Sequence, residues 1–156
     1  MSNTSIPPTS YAEAARRHLI DAESLFQSGR QANAGQLYGF VAECGLKALL
    51  IASGVPADAD GGIVKNNPAN NKAHPLRQHV PTLLDRIVAH GTLIPDGALA
   101  TKYMATLSSQ NHLKDWSVDH RYWRESSLPL TSVPNWRAAA HEVGKMLDQA
   151  KEDGVL

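Results

Sequence analysis

QANAGQLYGFVAECGLKALLIASG, residues 31 to 54, decides the fold. Ala34, Leu37, Tyr38, Val41, Ala42, Gly45, Ala48, Leu49 and Ala52 recur along it at helical spacing and share one side of a helix. Phe40, Cys44 and Ile51 add a second apolar line, so little of that helix faces water. The stretch predicts a central helix wrapped by its neighbours in a bundle. Gly35, Gly39 and Gly45 lie inside it, and each interior glycine costs roughly 1 kcal/mol relative to alanine. The expected compensation is close approach of a neighbouring helix backbone. Glu43 and Lys47 form an i,i+4 pair in the favourable order, read here as a surface bridge.

Upstream, residues 1 to 9 are polar and carry Pro7 and Pro8, which predicts a mobile tail. Ser10 and Glu13 have capping-box spacing, and Ala15, Leu19, Ala22, Leu25 and Phe26 repeat at helical period up to Gly29. The short connection to residue 31 makes this first helix an antiparallel neighbour of the central one. Downstream, residues 55 to 74 are rich in Gly, Pro, Asn and Asp and have no period, so they are expected to form a long flexible loop. Pro81 then opens a short helix with Leu83, Leu84, Ile87 and Val88 inward and Gly91 as its stop. Pro95 opens a fourth, with Leu99, Tyr103, Met104 and Leu107 on one face and an end near Ser108 or Ser109. Pro134 opens the last, with Trp136, Ala140, Val143, Leu147 and Ala150 inward. The expectation is an all-α single domain over residues 10 to 152, an up-and-down bundle of about five helices.

The 156 residues carry equal numbers of acidic and basic side chains, so no global field draws the chain to polyanions, and any such site is a local patch. A single cysteine, Cys44, rules out an intrachain disulfide and fits a cytoplasmic location. No apolar run approaches the roughly 20 residues of a membrane span. The scattered histidines have no metal-ligand spacing, no glycine loop precedes a Lys-Ser/Thr pair, and Cys44 sits in an apolar helix interior that raises its pKa. Neither a metal nor a cofactor is implied.

Chemistry concentrates in SSQNHLKDWSVDHRYWRE, residues 108 to 125. Lys114, Asp115, His120 and Tyr122 bring a cation, a carboxylate, an imidazole and a phenol together, a combination that cleaves RNA without metal. His120 would move the proton, Lys114 would neutralise charge on the phosphate, and Tyr122 would hold a phosphate oxygen. The same residues also fit plain packing, with Trp116 and Trp123 as core anchors and Arg121 bridged to Asp115 or Asp119.

RRHLIDAESLF, then Gly29, Arg30 and Asn33, then YGFVAECGLKALL at 38 to 50, resemble the HEPN family, small all-α domains. The likeness extends more loosely through PLRQHVPTLL and the final helix. It implies a helical bundle that pairs as a homodimer. Ribonuclease members carry an arginine, often followed by a polar residue, and a histidine four to six residues beyond, with two such motifs meeting in the dimer cleft. The nearest match here is Lys114, Asp115 and His120, with Tyr122 two residues further on. Lysine keeps the charge of the motif arginine but loses its bidentate fork.

Three functions follow from these residues. One is an RNA- or nucleotide-binding module with weak or absent catalysis, using Lys114, His120, Asp115, Arg121, Tyr122 and Trp116. Another is a metal-independent endoribonuclease built on Lys114 and His120, toxin-like, with an antitoxin or a nucleotidyltransferase as the partner the resemblance implies. The third is a dimeric protein-interaction module that buries part of residues 112 to 124. The missing arginine favours the first.

Overall fold

The computed structural model describes residues 5–156, and among these it contains helices and turns but no β-strand. Five α-helices are present: α1 (Tyr11–Gln27), α2 (Gln31–Ala52), α3 (Thr82–Ala89), α4 (Gly97–Met104) and α5 (Val133–Glu152). The all-α bundle follows the apolar periodicity. The Oγ of Ser10 accepts the Glu13 amide at 3.3 Å and caps α1. Gly29, at φ 77°, then turns the chain, and the Arg30 amide donates to the Leu25 carbonyl at 2.9 Å as α1 gives way to α2.

α2 is the axis of the core. Ala34, Tyr38, Val41, Ala42, Leu46, Leu49 and Leu50 are buried along it, and α1 and α5 pack against it. The expectation that helix backbones approach its glycines is corrected. Large side chains fill the notches instead: Trp136 over Gly35, Trp116 over Gly39 and Val143 over Gly45. A Cβ on Gly35 would meet Trp136 Cε3 at 2.9 Å.

The Glu43–Lys47 pair is not on the surface. Lys47 Nζ lies 2.8 Å from Glu43 Oε1, both side chains are 8% exposed, and His79 Nδ1 sits 2.8 Å from the other carboxylate oxygen. The segment bearing His79 closes over this part of α2.

The stretch just upstream of it corrects a second expectation. Residues 55 to 74 form a packed loop, with Val55, Ile63, Asn67 and His74 buried. Isolated bridges Ala57–Ile63 and Asn66–Ala73 pin two tight turns within it. The Tyr11 hydroxyl accepts the Ile63 amide at 3.3 Å, and the Thr9 amide donates to the Asp60 carbonyl at 2.8 Å. Of the tail expected at 1 to 9, residues 1 to 4 lie outside the described residues, and Thr9 is fastened to the loop.

The remaining differences are local. Val88 is 85% exposed rather than inward, because α3 is short and buries only Leu83 and Ile87. α4 begins at Gly97, where the Asp96 side chain accepts the Leu99 amide at 3.0 Å, and it stops at Met104. From there to α5 the chain runs through short 3-10 turns, including Gln110–Leu113 and Val118–Tyr122, which explains the lack of a clean period.

Candidate functional site

α2 begins without a side-chain cap. Arg30 occupies the N-cap position, where Ser, Thr, Asp or Asn ordinarily accepts a first-turn amide, and its side chain makes no capping bond. The first intrahelical bond is from the Ala34 amide to the Arg30 carbonyl, so the amides of residues 31 to 33 have no acceptor within the helix. Those donors and the positive end of the helix dipole face a region that accepts negative charge.

A pocket of about 380 Å³ opens there, between the start of α2 and the turns that follow Val118. Gly29, Arg30, Ala32, Asn33 and Gln36 form one wall, and His120, Arg121, Trp123, Glu125 and Leu128 the other. Two guanidinium groups and one carboxylate give the lining a positive balance.

His120 is held by the Val118–Tyr122 turn, which Ser117 caps by accepting the Asp119 amide at 3.1 Å. Its ring is only 7% exposed and lies 4.5 Å from the Trp123 ring and 5.6 Å from the Trp136 ring, centre to centre. Nδ1 is buried with no hydrogen-bond partner. Burial lowers the His120 pKa below its ordinary 6.5, with Asp115 and Asp119 pulling the other way, so the imidazole is neutral near pH 7. Gln36 donates from Nε2 to the Val118 carbonyl at 3.4 Å, and its Oε1 is buried without a donor. Two unsatisfied polar atoms thus belong to residues that line one pocket, where native structures leave very few.

The other residues singled out by sequence are placed differently. Lys114 is exposed at the end of the Gln110–Leu113 turn and does not line the pocket with His120. Asp115 accepts from Trp136 Nε1 at 2.9 Å and from the Ser132 hydroxyl, which ties this segment to the start of α5. Trp116 is a core anchor: it is 2% exposed, and its Nε1 donates to the Gly35 carbonyl at 3.0 Å. Trp123 is 49% exposed, and Tyr122 is 75% exposed with the Arg121 guanidinium 4.7 Å from its ring centre. Cys44 is half-buried, and burial followed by the Glu43 charge raises its thiol to about 11.

Of the six residues proposed from sequence, the pocket gathers His120 and Arg121 and adds Arg30, Asn33, Gln36, Trp123 and Glu125. A signal for Arg30 was present: a strongly apolar helix starts directly after Gly29–Arg30 with no capping residue.

The fold and pocket define a small all-α domain with a cationic, aromatic-edged cleft at a helix N-terminus. No family model matches the chain, and neither do any curated protein or solved structure.

Proposed function

We propose that this chain is a HEPN-like RNA- or nucleotide-binding module that acts as a homodimer. The observation that carries this reading is the pocket at the uncapped start of α2, where Arg30, Arg121 and free first-turn amides offer charge-assisted donors to phosphate. Trp123 at its edge offers a face on which a base stacks, a contact worth about 1–3 kcal/mol per base. The dimer would cover exposed Tyr122, and sedimentation of Tyr122→Ala tests it by a shift toward monomer. Titration of the protein with ATP and with a fluorescent single-stranded RNA tests the binding. Arg30→Ala and Arg121→Ala are each expected to weaken it about tenfold. Parent-like affinity in both variants would overturn the reading.

A ribonuclease reading is supported by one observation, that His120 and the Arg121 guanidinium line the same pocket, and burial shifts the imidazole toward its neutral form. In it, His120 accepts the 2′-hydroxyl proton, and Arg121 takes the charge-neutralising role first given to Lys114. Incubation with a mixed RNA pool in chelator, beside His120→Ala, tests it. Cleavage by the parent alone supports catalysis, and its absence in both leaves binding.

A further inference from the structure

His74 lies in the packed loop with only 3% of its surface exposed, and its Nδ1 accepts the Leu76 amide at 3.2 Å. A backbone amide always carries its proton, so this contact fixes the state of the ring: Nδ1 is unprotonated and the one imidazole proton sits on Nε2. An imidazolium carries a proton on both nitrogens and would set N–H against N–H. The geometry admits only the uncharged ring.

His74 is also where the loop is tied. Its amide donates to the Lys65 carbonyl at 2.9 Å beside the Asn66–Ala73 bridge, and its carbonyl accepts the Arg77 amide at 3.1 Å. The Arg77 guanidinium reaches back to the Ile63 carbonyl at 3.3 Å. Val55, Ile63 and Leu76, each no more than 2% exposed, are the apolar side chains that this stretch buries.

The charges around His74 give an imidazolium no compensation. Lys65 and Arg77 flank it on its own segment, and His90, at the end of α3, adds a third basic group. No carboxylate pairs with it among the described residues. Burial, followed by His90, lowers its pKa below the ordinary 6.5. His79, five residues on, has the opposite preference. Its Nδ1 lies 2.8 Å from Glu43 Oε2, with Lys47 on the other oxygen, and a proton turns that contact into an ion pair.

We propose that residues 55 to 77 form an acid-released lid, shut while His74 is uncharged, opened when His74 gains a proton, and hinged at His79, which stays pinned to Glu43 on α2. The closed lid favours the uncharged ring, so its stabilisation is complete above pH 6.5 and is lost as pH falls through the lower value of the closed state. Opening exposes Val55, Ile63 and Leu76.

Hydrogen exchange of the full chain, read by mass spectrometry and corrected for the intrinsic pH dependence of exchange, tests this. Protection of the amides from 55 to 77 is expected to fall about tenfold between about pH 7.5 and about pH 5, while α5 keeps its protection. His74→Asn is the deciding variant, because Asn Oδ1 takes the Leu76 amide as Nδ1 does and does not titrate. Its lid is expected to hold level across the same range. Acid release that persists unchanged in His74→Asn would overturn the assignment and move it to the Asp58 carboxylate, which accepts the Asp60 and Gly62 amides at 3.0 and 3.3 Å in the same loop.

Loss of protection in α5 in step with the loop would show global unfolding and overturn the lid. A second measurement needs no variant. In NMR titration of the parent, the His74 ring and the protection of the Leu76 amide are expected to share one midpoint, and a ring that gains its proton while Leu76 stays protected would refute the proposal. His79→Ala is expected to carry the acid-induced exchange on through Val80; protection there equal to the parent's would remove the hinge.

Discussion

The Trp116 indole occupies the space that a side chain on Gly39 would need, and it is fixed there by donating from Nε1 to the Gly35 carbonyl at 3.0 Å. Phe40 meets the same indole edge-on at 5.6 Å between ring centres. This contact joins the irregular 105–132 region to the central helix, so it holds the turn that presents His120. Gly39→Ala puts a methyl group inside the indole. Alanine's better helix propensity returns about 1 kcal/mol, but overpacking costs typically 1–3 kcal/mol and more where a buried tryptophan has nowhere to go. The expected net loss is about 2 kcal/mol, read from urea denaturation. A variant as stable as the parent would show that the indole has room to move.

The buried Glu43–Lys47 pair makes a sharper prediction. Each side chain is 8% exposed, and His79 lies on the second carboxylate oxygen. Glu43→Leu strands the Lys47 charge in the interior and is expected to destabilise the fold by about 3–5 kcal/mol, whereas Lys47→Met leaves Glu43 its His79 partner and is expected to cost less. The double variant removes both desolvated charges and is expected to recover most of that loss. Chemical denaturation of the four proteins gives the coupling, and additive losses would show that the two charges act independently.

The parts of this fold that are legible in the sequence are local ones. Ser10 with Glu13, the turn at Gly29 and the apolar recurrence from Ala34 to Ala52 each state their structure within a few residues. Burial of Glu43 and Lys47 is different, because their spacing is the same on a wet face and a dry one. What covers them arrives with His79, 36 residues beyond Glu43 in the chain. The packing of the loop from 55 to 74 is hidden from local sequence for the same reason. Val55, Ile63, Asn67 and His74 are buried one at a time between turns and never fall into a period. The candidate pocket joins residues near 30 to residues near 120, and only the second wall, with His120, Arg121, Trp123 and Glu125, lies in a segment dense enough in chemistry to stand out alone.

Glu23 ties three helices together and sets the acid limit of the fold. Its carboxylate accepts from Arg137 Nε at 2.8 Å and Nη2 at 2.7 Å and from the Tyr38 hydroxyl at 2.6 Å, with His141 Nε2 at 2.9 Å. The Arg137 bonds are the largest influence holding its pKa down to about 2, Tyr38 and His141 add to them, and burial opposes them. A carboxyl lowered by folding contributes stability in full above its unfolded value near 4.5 and loses it as pH falls through the folded value. Glu23→Gln is therefore expected to be about 1–2 kcal/mol less stable than the parent at pH 7. The gap should narrow between pH 4.5 and pH 2, where the parent carboxyl becomes protonated. A gap that stays constant across that range in urea titrations would show that the carboxylate charge contributes nothing.

Lys114 and Asp115 are neighbours with opposite expected phenotypes. Lys114 is exposed and lines no part of the pocket, and no ion pair reaches it among the described residues. Lys114→Ala should therefore leave both stability and nucleotide affinity within twofold of the parent. Asp115 accepts from Trp136 Nε1 at 2.9 Å and from Ser132, and Trp136 in turn flanks the His120 ring. Asp115→Ala leaves an indole N–H without its acceptor, a loss of about 1–3 kcal/mol, and loosens the tryptophan against which His120 rests. Thermal melting should show the Asp115 variant well below the parent and the Lys114 variant level with it. In RNA or ATP titrations, the Asp115 variant should weaken with its stability, and saturating ligand should restore part of the lost melting temperature. A Lys114 variant that lost affinity while keeping its melting temperature would restore lysine to the motif role that the resemblance assigns it and move the binding site out of the pocket.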